Sequence, residues 1–188
     1  MVFVVIDGLD GSGKSTQARL ICSRIAEKGK TYVLRAHPSS DNFFGRLGRG
    51  CLLLHGKRAR LAASLFYLLD VVRSLVLYRW RRVDYVVFVR YLMGTAYLPE
   101  PLHRVAYLFF YRLVPLSSHM YFIDVSPEEA YRRIEAGRSR REMFESLEKL
   151  RQVQGRALSL TAKGPWTVID GDRHWRMIHR QLAELIGL

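Results

Sequence analysis

The chain has 188 residues, 49% of them hydrophobic and 25% charged, which is the size of one globular domain with a sizeable core and excludes a disordered tail or a miniprotein. Lysine and arginine number 30 against 17 acidic residues, a net charge of +13, so the expected partner is polyanionic: a nucleotide, a nucleic acid or an acidic membrane. The two cysteines, Cys22 and Cys51, lack metal-ligand spacing and suggest no disulfide framework, which makes a reducing compartment the default.

In chain order, Val2 to Ile6 is a short β-branched run ended by Asp7-Gly8, as expected of a strand buried on both faces. It is too short to span a membrane and lacks the basic start of a signal peptide, so a soluble cytoplasmic protein is expected. A glycine-rich loop follows, then a helix over Ser15 to Glu27 with Gly29 at its stop, and a second strand over Thr31 to Arg35. His37 to Gly50 holds Pro38, Asp41, Gly45, Gly48 and Gly50, a composition that favours turns over uninterrupted helix. Lys57 to Trp80 reads as helix, and Tyr85 to Val89 and Met120 to Val125 as strands. The aromatic segment Pro99 to Pro115 reads as a core helix or subunit contact rather than a membrane element. Ser126-Pro127-Glu128-Glu129 is a helix start, with a capping serine, proline at the first position and glutamate three after the cap. Trp166 to Asp170 is the last strand and His174 to Ile186 the last helix. This alternation predicts an α/β fold with a five-stranded parallel sheet and helices on both faces, formed by a single domain spanning residues 1–188.

The first loop carries the chemistry. Gly8-Leu9-Asp10-Gly11-Ser12-Gly13-Lys14-Ser15 satisfies G-x-x-x-x-G-K-[ST] between a predicted strand and a predicted helix, the context that a phosphate-binding P-loop requires. Glycines at Gly8, Gly11 and Gly13 let successive backbone N–H groups turn inward onto phosphate oxygens, beside the partial positive charge of the helix N-terminus. Lys14 would reach the β- and γ-phosphates of ATP, Ser15 would supply a hydroxyl to Mg²⁺, and Ser12 and Thr16 complete the cradle. Arginine makes up most of the basic excess, and its planar fork suits bidentate phosphate contacts; genome composition or a hot habitat could produce the same bias.

Ile6-Asp7-Gly8-Leu9-Asp10-Gly11-Ser12-Gly13-Lys14-Ser15-Thr16-Gln17 resembles the opening of thymidylate kinases, and the likeness continues along nearly the whole chain. Arg35-Ala36-His37-Pro38 resembles the family's arginine-then-proline after the second strand, and Gly45-Arg46-Leu47-Gly48-Arg49 its glycine-to-arginine helix start. Arg90-Tyr91 and Ala96-Tyr97 resemble its Asp-Arg-Tyr signature and following Ala-Tyr pair. Phe122 to Ala130 with Arg132-Arg133, then Phe144-Glu145 and Val168-Ile169-Asp170, resemble its later strands and lid.

This resemblance implies a P-loop kinase fold and ATP-dependent phosphorylation of a deoxynucleoside monophosphate, dTMP first, with Mg²⁺, by a homodimer. It implies that Arg90 bridges the acceptor phosphate and the migrating group, that Arg35 and Arg49 hold the acceptor phosphate, and that Asp10 contacts the acceptor sugar, with Tyr97 nearby. Arg138, Arg140 and Arg141 fall in a mobile lid at about 135–146, or else form a charge run on an exposed helix. Phe66 and Arg73 resemble the residues that meet the base, although the family's basic residue comes four after the aromatic, where this chain has Asp70; Phe66 is equally readable as core. Val89 replaces the aspartate before Arg90, leaving Asp7 as the substitute carboxylate near the metal; Gln154, Ala157 and Met143 are further departures. The other readings are a kinase for a different nucleotide or nucleoside acceptor, or a weakly active nucleotide-binding paralogue. A nucleic acid is the less expected partner, since basic residues of the site account for some of the charge.

Overall fold

The structure is a computed structural model that describes residues 1–52, 54, 57–78, 81–137 and 146–188. Five strands, β1 (Val2–Gly8), β2 (Tyr32–Ala36), β3 (Tyr85–Val89), β4 (His119–Asp124) and β5 (Trp166–Asp170), form one sheet in the order β2-β3-β1-β4-β5. Every pairing is parallel. Among the described residues, seven α-helices connect and cover them: α1 (Lys14–Glu27), α2 (Phe43–Leu52), α3 (Lys57–Tyr78), α4 (Leu102–Leu113), α5 (Pro127–Gly137), α6 (Leu147–Thr161) and α7 (Trp175–Ile186). The α/β architecture is the expected one.

Alternation along the strands divides the core between the two faces, because successive side chains point to opposite sides of a sheet. Val4, Ile6, Val87, Val89, Tyr121 and Ile123 pack under α1 and α7, while Val5, Val86, Phe88, Met120 and Phe122 pack toward the opposite helices. Both sets are buried, so the strands read as continuous apolar runs. A fully buried side chain such as Ile6 or Phe88 contributes about 1.5–3 kcal/mol. Strand ends thereby gather on one edge, and the β1–α1 loop emerges between the ends of β3 and β4, the location where parallel sheets open a crevice.

The turn-rich reading of His37 to Gly50 holds for residues 37–42 and fails beyond them: α2 occupies Phe43–Leu52, where the likeness to a glycine-to-arginine helix start places one. Gly45 is a packing residue. A Cβ there would press into the Ser39 backbone, 2.7 Å from its amide, whereas one on Gly48 would meet Pro38 and Phe66 at 3.4 and 3.6 Å, ordinary contact, and Gly50 has open space. The helix lies close against Ser39 because the Gly45 side chain is missing. A six-residue 3₁₀ helix at Leu92–Tyr97 also had no signal in the periodicity.

These contacts set opposite outcomes for two helical glycines. Gly155 lies within α6 with open space around its Cβ position, so Gly155→Ala should stabilise by about 0.5–1 kcal/mol. Gly45→Ala should cost about 1–3 kcal/mol through overpacking. Thermal denaturation of the two variants should show midpoints displaced in opposite directions.

Candidate active site

Tight packing of the β1–α1 loop requires its glycines. Gly11 and Gly13 sit at φ +81° and +82°, where only glycine is relaxed, and a Cβ on Gly11 would lie 2.5 Å from the Ala130 carbonyl oxygen. Helix α1 starts at Lys14, so the first-turn amides of Lys14 and Ser15 have no carbonyl within the helix to bond. Thr16 and Gln17 donate to the Gly13 carbonyl at 3.0 Å, holding the loop onto the helix. Ser15 and Thr16 are exposed, whereas Ser12 is buried with no partner for its hydroxyl among the described residues.

Lys14 is buried and its ammonium donates to the Leu9 carbonyl at 2.6 Å, with Asp10 Oδ1 at 3.5 Å. Burial, followed by the nearby Arg90 charge, lowers its pKa to about 8 against the opposing pull of Asp10 and Asp7. Arg90, from the end of β3, donates to the same Asp10 oxygen, and Tyr97 donates its hydroxyl to the other at 3.1 Å. Burial and the Asp10 charge hold the Tyr97 phenol neutral. Asp10 is therefore a buried hub joining Lys14, Arg90 and Tyr97.

Arg90 reaches this position through an unusual backbone. Its φ is +62°, the sole positive value among described non-glycine residues, a conformation costing an L-residue roughly 1–2 kcal/mol. Asp7 helps to hold it. Asp7 Oδ2 accepts the amides of Tyr91 at 2.8 Å and Met93 at 3.2 Å, and Oδ1 that of Gly8 at 3.1 Å. Desolvation raises the Asp7 pKa against these amides and Lys14. The expected metal contact is thus turned to the start of the 3₁₀ helix, and Val89, in the place of the family aspartate, is buried in the apolar cluster under α1.

The remaining expected residues are less convergent. Arg35 forms a bidentate pair with Asp41 at 2.7 and 2.9 Å and lies over the Tyr78 ring; no described contact joins it to Lys14. Pairing with Arg35 holds the Asp41 carboxyl well below the usual range. Arg49 donates Nε to the Pro38 carbonyl at 2.9 Å and is otherwise exposed. Phe66 packs behind Gly48, and Arg73 is half-buried with one terminal nitrogen unbonded among the described residues. Asp70 is fully buried, accepting the Ser39 amide and hydroxyl at 2.6 and 2.7 Å and the Asn42 amide at 2.6 Å. Gln154 donates to Asp124 and the Val125 carbonyl. Arg138, Arg140, Arg141, Met143 and Phe144 lie outside the described residues, as does most of the expected lid.

On the other flank of the loop, an open groove runs beside Ser12, Thr16 and Gln17, walled by Arg133, Asp172, His174 and Trp175. Sequence reasoning missed these as site residues. Arg133 bonds Glu129 within α5, and three contacts bridge separate elements: Arg133 to the Gly171 carbonyl, Ser126 to Asp172, and Gln17 to the Trp175 carbonyl. The available signal was position: they follow β5 or lie on α5, beside the same crevice.

The sequence profile of the family described as thymidylate kinase matches residues 6–182. A probable thymidylate kinase of Pyrobaculum aerophilum is 30% identical, over 99% of this chain and 96% of that protein. A thymidylate kinase of Leptospira interrogans is 24% identical over 98% and 93%. A probable thymidylate kinase of Thermococcus onnurineus is 48% identical over 56 residues, a match spanning 30% of this chain and 27% of that relative. The solved structure of thymidylate kinase from Candida albicans superposes with a TM-score of 0.76 at 20% identity, covering 99% of this chain and 91% of that one, and shares the fold.

The three amides on Asp7 make it a buried anchor. Asp7→Ala should strand them and lower unfolding free energy by on the order of 3 kcal/mol; urea denaturation with an unchanged slope would register the loss.

Proposed function

The chain belongs to the thymidylate kinase family, and we propose that it transfers the γ-phosphoryl group of ATP to the phosphate of thymidine monophosphate, giving ADP and thymidine diphosphate. The observation that carries this reading is the meeting of Lys14, from the phosphate loop, and Arg90, from the end of β3, around Asp10. Two anions brought together need cations on both sides of the transfer point, and Lys14 and Arg90 reach one carboxylate from two different elements.

In the transfer, an oxygen of the acceptor phosphate forms a bond to the γ-phosphorus while the bond from that phosphorus to the β–γ bridging oxygen breaks, and ADP leaves with the electron pair. Lys14 holds the β- and γ-oxygens, and the Lys14 and Ser15 amides hold the donor from the helix end. Arg90 spans the acceptor phosphate and the migrating group. Asp10 and Tyr97 orient the acceptor, and Arg49, exposed beside the Pro38 turn, meets its phosphate. Arg35 and Arg73, with Phe66, are assigned to the acceptor side on family likeness, and Arg138, Arg140 and Arg141 to a lid around 135–146. The groove walled by Arg133, His174 and Trp175 receives the donor base.

Among the described residues no three His, Cys, Asp or Glu side chains group around a cation site. Mg²⁺ is held largely by phosphate oxygens and water; Ser15, exposed beside the loop, is the residue that would hold it, and when bound it would supply charge neutralisation on the phosphates. The same reading takes residues 1–188 as one kinase domain working in the cytoplasm. It includes a homodimer, supported by Leu65, Val72 and Val76 exposed along α3. No described helix is long and apolar enough to cross a membrane.

Purified protein given ATP, Mg²⁺ and a panel of nucleoside monophosphates should form a diphosphate, fastest from dTMP; product from none of them rejects the proposal. Lys14→Met and Arg90→Ala should each lower kcat by about 10²- to 10³-fold, measured by coupled ADP release, and undiminished turnover in either would remove that residue from the transfer.

A further inference from the structure

The backbone that aims Arg90 is held by a second buried group for which the transfer chemistry has no use. His37 follows β2 directly, its amide continuing the β2–β3 ladder to the Val89 carbonyl at 3.0 Å. Its ring is buried, edge-on to Phe88 with centroids 5.0 Å apart. Nδ1 lies 3.1 Å from the Arg90 carbonyl oxygen, and Nε2 lies 2.9 Å from the hydroxyl of Ser74, a fully buried residue of α3.

A carbonyl only accepts, so Nδ1 must carry the proton in the first of these bonds. Burial lowers the ring's pKa to about 4, against Asp70 on α3 and with Arg35 on β2 adding to the effect, so the ring is neutral near pH 7. Nε2 is then bare and accepts the Ser74 hydroxyl. The peptide joining Arg90 to Tyr91 is thus held at both ends: its carbonyl by His37, its N–H by Asp7. Rotating that peptide, which would change ψ of Arg90 and φ of Tyr91, would break both bonds in a buried place; the preceding peptide, which sets the positive φ of Arg90, is held by the His37 amide on the Val89 carbonyl and by the Ile6 carbonyl, which accepts the Arg90 amide at 3.3 Å.

We infer that His37, locked as its Nδ1–H tautomer by Ser74, is a positioning residue that fixes the backbone of Arg90 and so aims its guanidinium at the phosphate transfer point. The inference rests on Arg90 acting in the transfer. It goes beyond that role in assigning to α3 and the end of β2 control over where Arg90 points.

Two replacements separate the ring's bonds. In His37→Asn the side-chain amide lies where Nδ1 was and can still donate to the Arg90 carbonyl; in His37→Gln it reaches the place of Nε2 and leaves that carbonyl unpaired. His37→Gln should lose about 10²-fold in kcat with KM for ATP unchanged, the scale of misplacing a reacting group by an ångström. His37→Asn should retain most of the kcat, although both variants lose one bond and similar packing and melt at lower temperature. Equal kcat in the two variants, or losses that track melting temperature alone, would overturn the inference. Nitrogen-15 NMR of the ligand-free wild type tests it without turnover: the His37 ring should show a protonated Nδ1 and a bare Nε2, with Ser74→Ala shifting the Nε2 resonance. An Nε2–H tautomer rejects the positioning role even if the kinase is active; an inactive wild type with the Nδ1–H tautomer rejects the kinase reading and leaves the clamp standing.

Discussion

Two cations meeting on one buried carboxylate set the terms for the rest of this molecule. Lys14 and Arg90 repel one another, and burial penalises the lysine, yet the fold holds them together through Asp10. Such a cluster is tolerable only if the backbone beneath it cannot relax. The glycine loop supplies that rigidity on one side, and the pairing of Asp7 with the Tyr91 and Met93 amides supplies it on the other. Tyr67 adds to it by donating its hydroxyl to the Tyr91 carbonyl at 2.7 Å. The parallel sheet makes the meeting possible, since β1 and β3 are adjacent and end together, Ile6 opposite Val89.

How much of this could be read in the residues depended on the kind of physics involved. The β-branched runs and the glycine–lysine loop are local, and their strands and helix were legible at once. Beyond Asn42 the segment after β2 was read wrongly because glycine has two uses: it permits turns, and it permits close approach. Gly45 serves the second, a fact that becomes visible only when the Ser39 backbone is seen against it. Asp7 was legible as an acid beside the loop but not as a partner for amides more than eighty residues away, because its role is set by the adjacency of β1 and β3. The groove beside Ser12 and Thr16 was illegible for a similar reason: Arg133 and Trp175 come from α5 and α7 and share a wall only in three dimensions.

The acceptor side shows what a departure in sequence does to the structure around it. Where the family has a basic residue four after Phe66, Asp70 is buried and draws Ser39 and Asn42 onto α3. The loop from His37 to Asn42 is thereby fastened to the helix, and the Pro38 carbonyl is presented to Arg49. Arg35 turns to Asp41 within the same loop. The carboxylate at position 70 thus fastens the loop whose Asp41 carboxylate and Pro38 carbonyl are the partners of both arginines.

Val89 carries the same logic to the centre. An aspartate there would place a third acid, beside Asp7 and Asp10, near Lys14 and Arg90; valine instead joins Ile6 and Val87 in the apolar cluster under α1. The centre holds two cations on Asp10, with Asp7 turned to its amides, and its lysine is held at a pKa near 8 by desolvation and by Arg90. Any anion entering this space favours the charged lysine and offsets the repulsion between it and Arg90. On the proposed reading the donor and acceptor phosphates are those anions, so the pairing that the transfer needs is also the one that relieves the electrostatics of the centre.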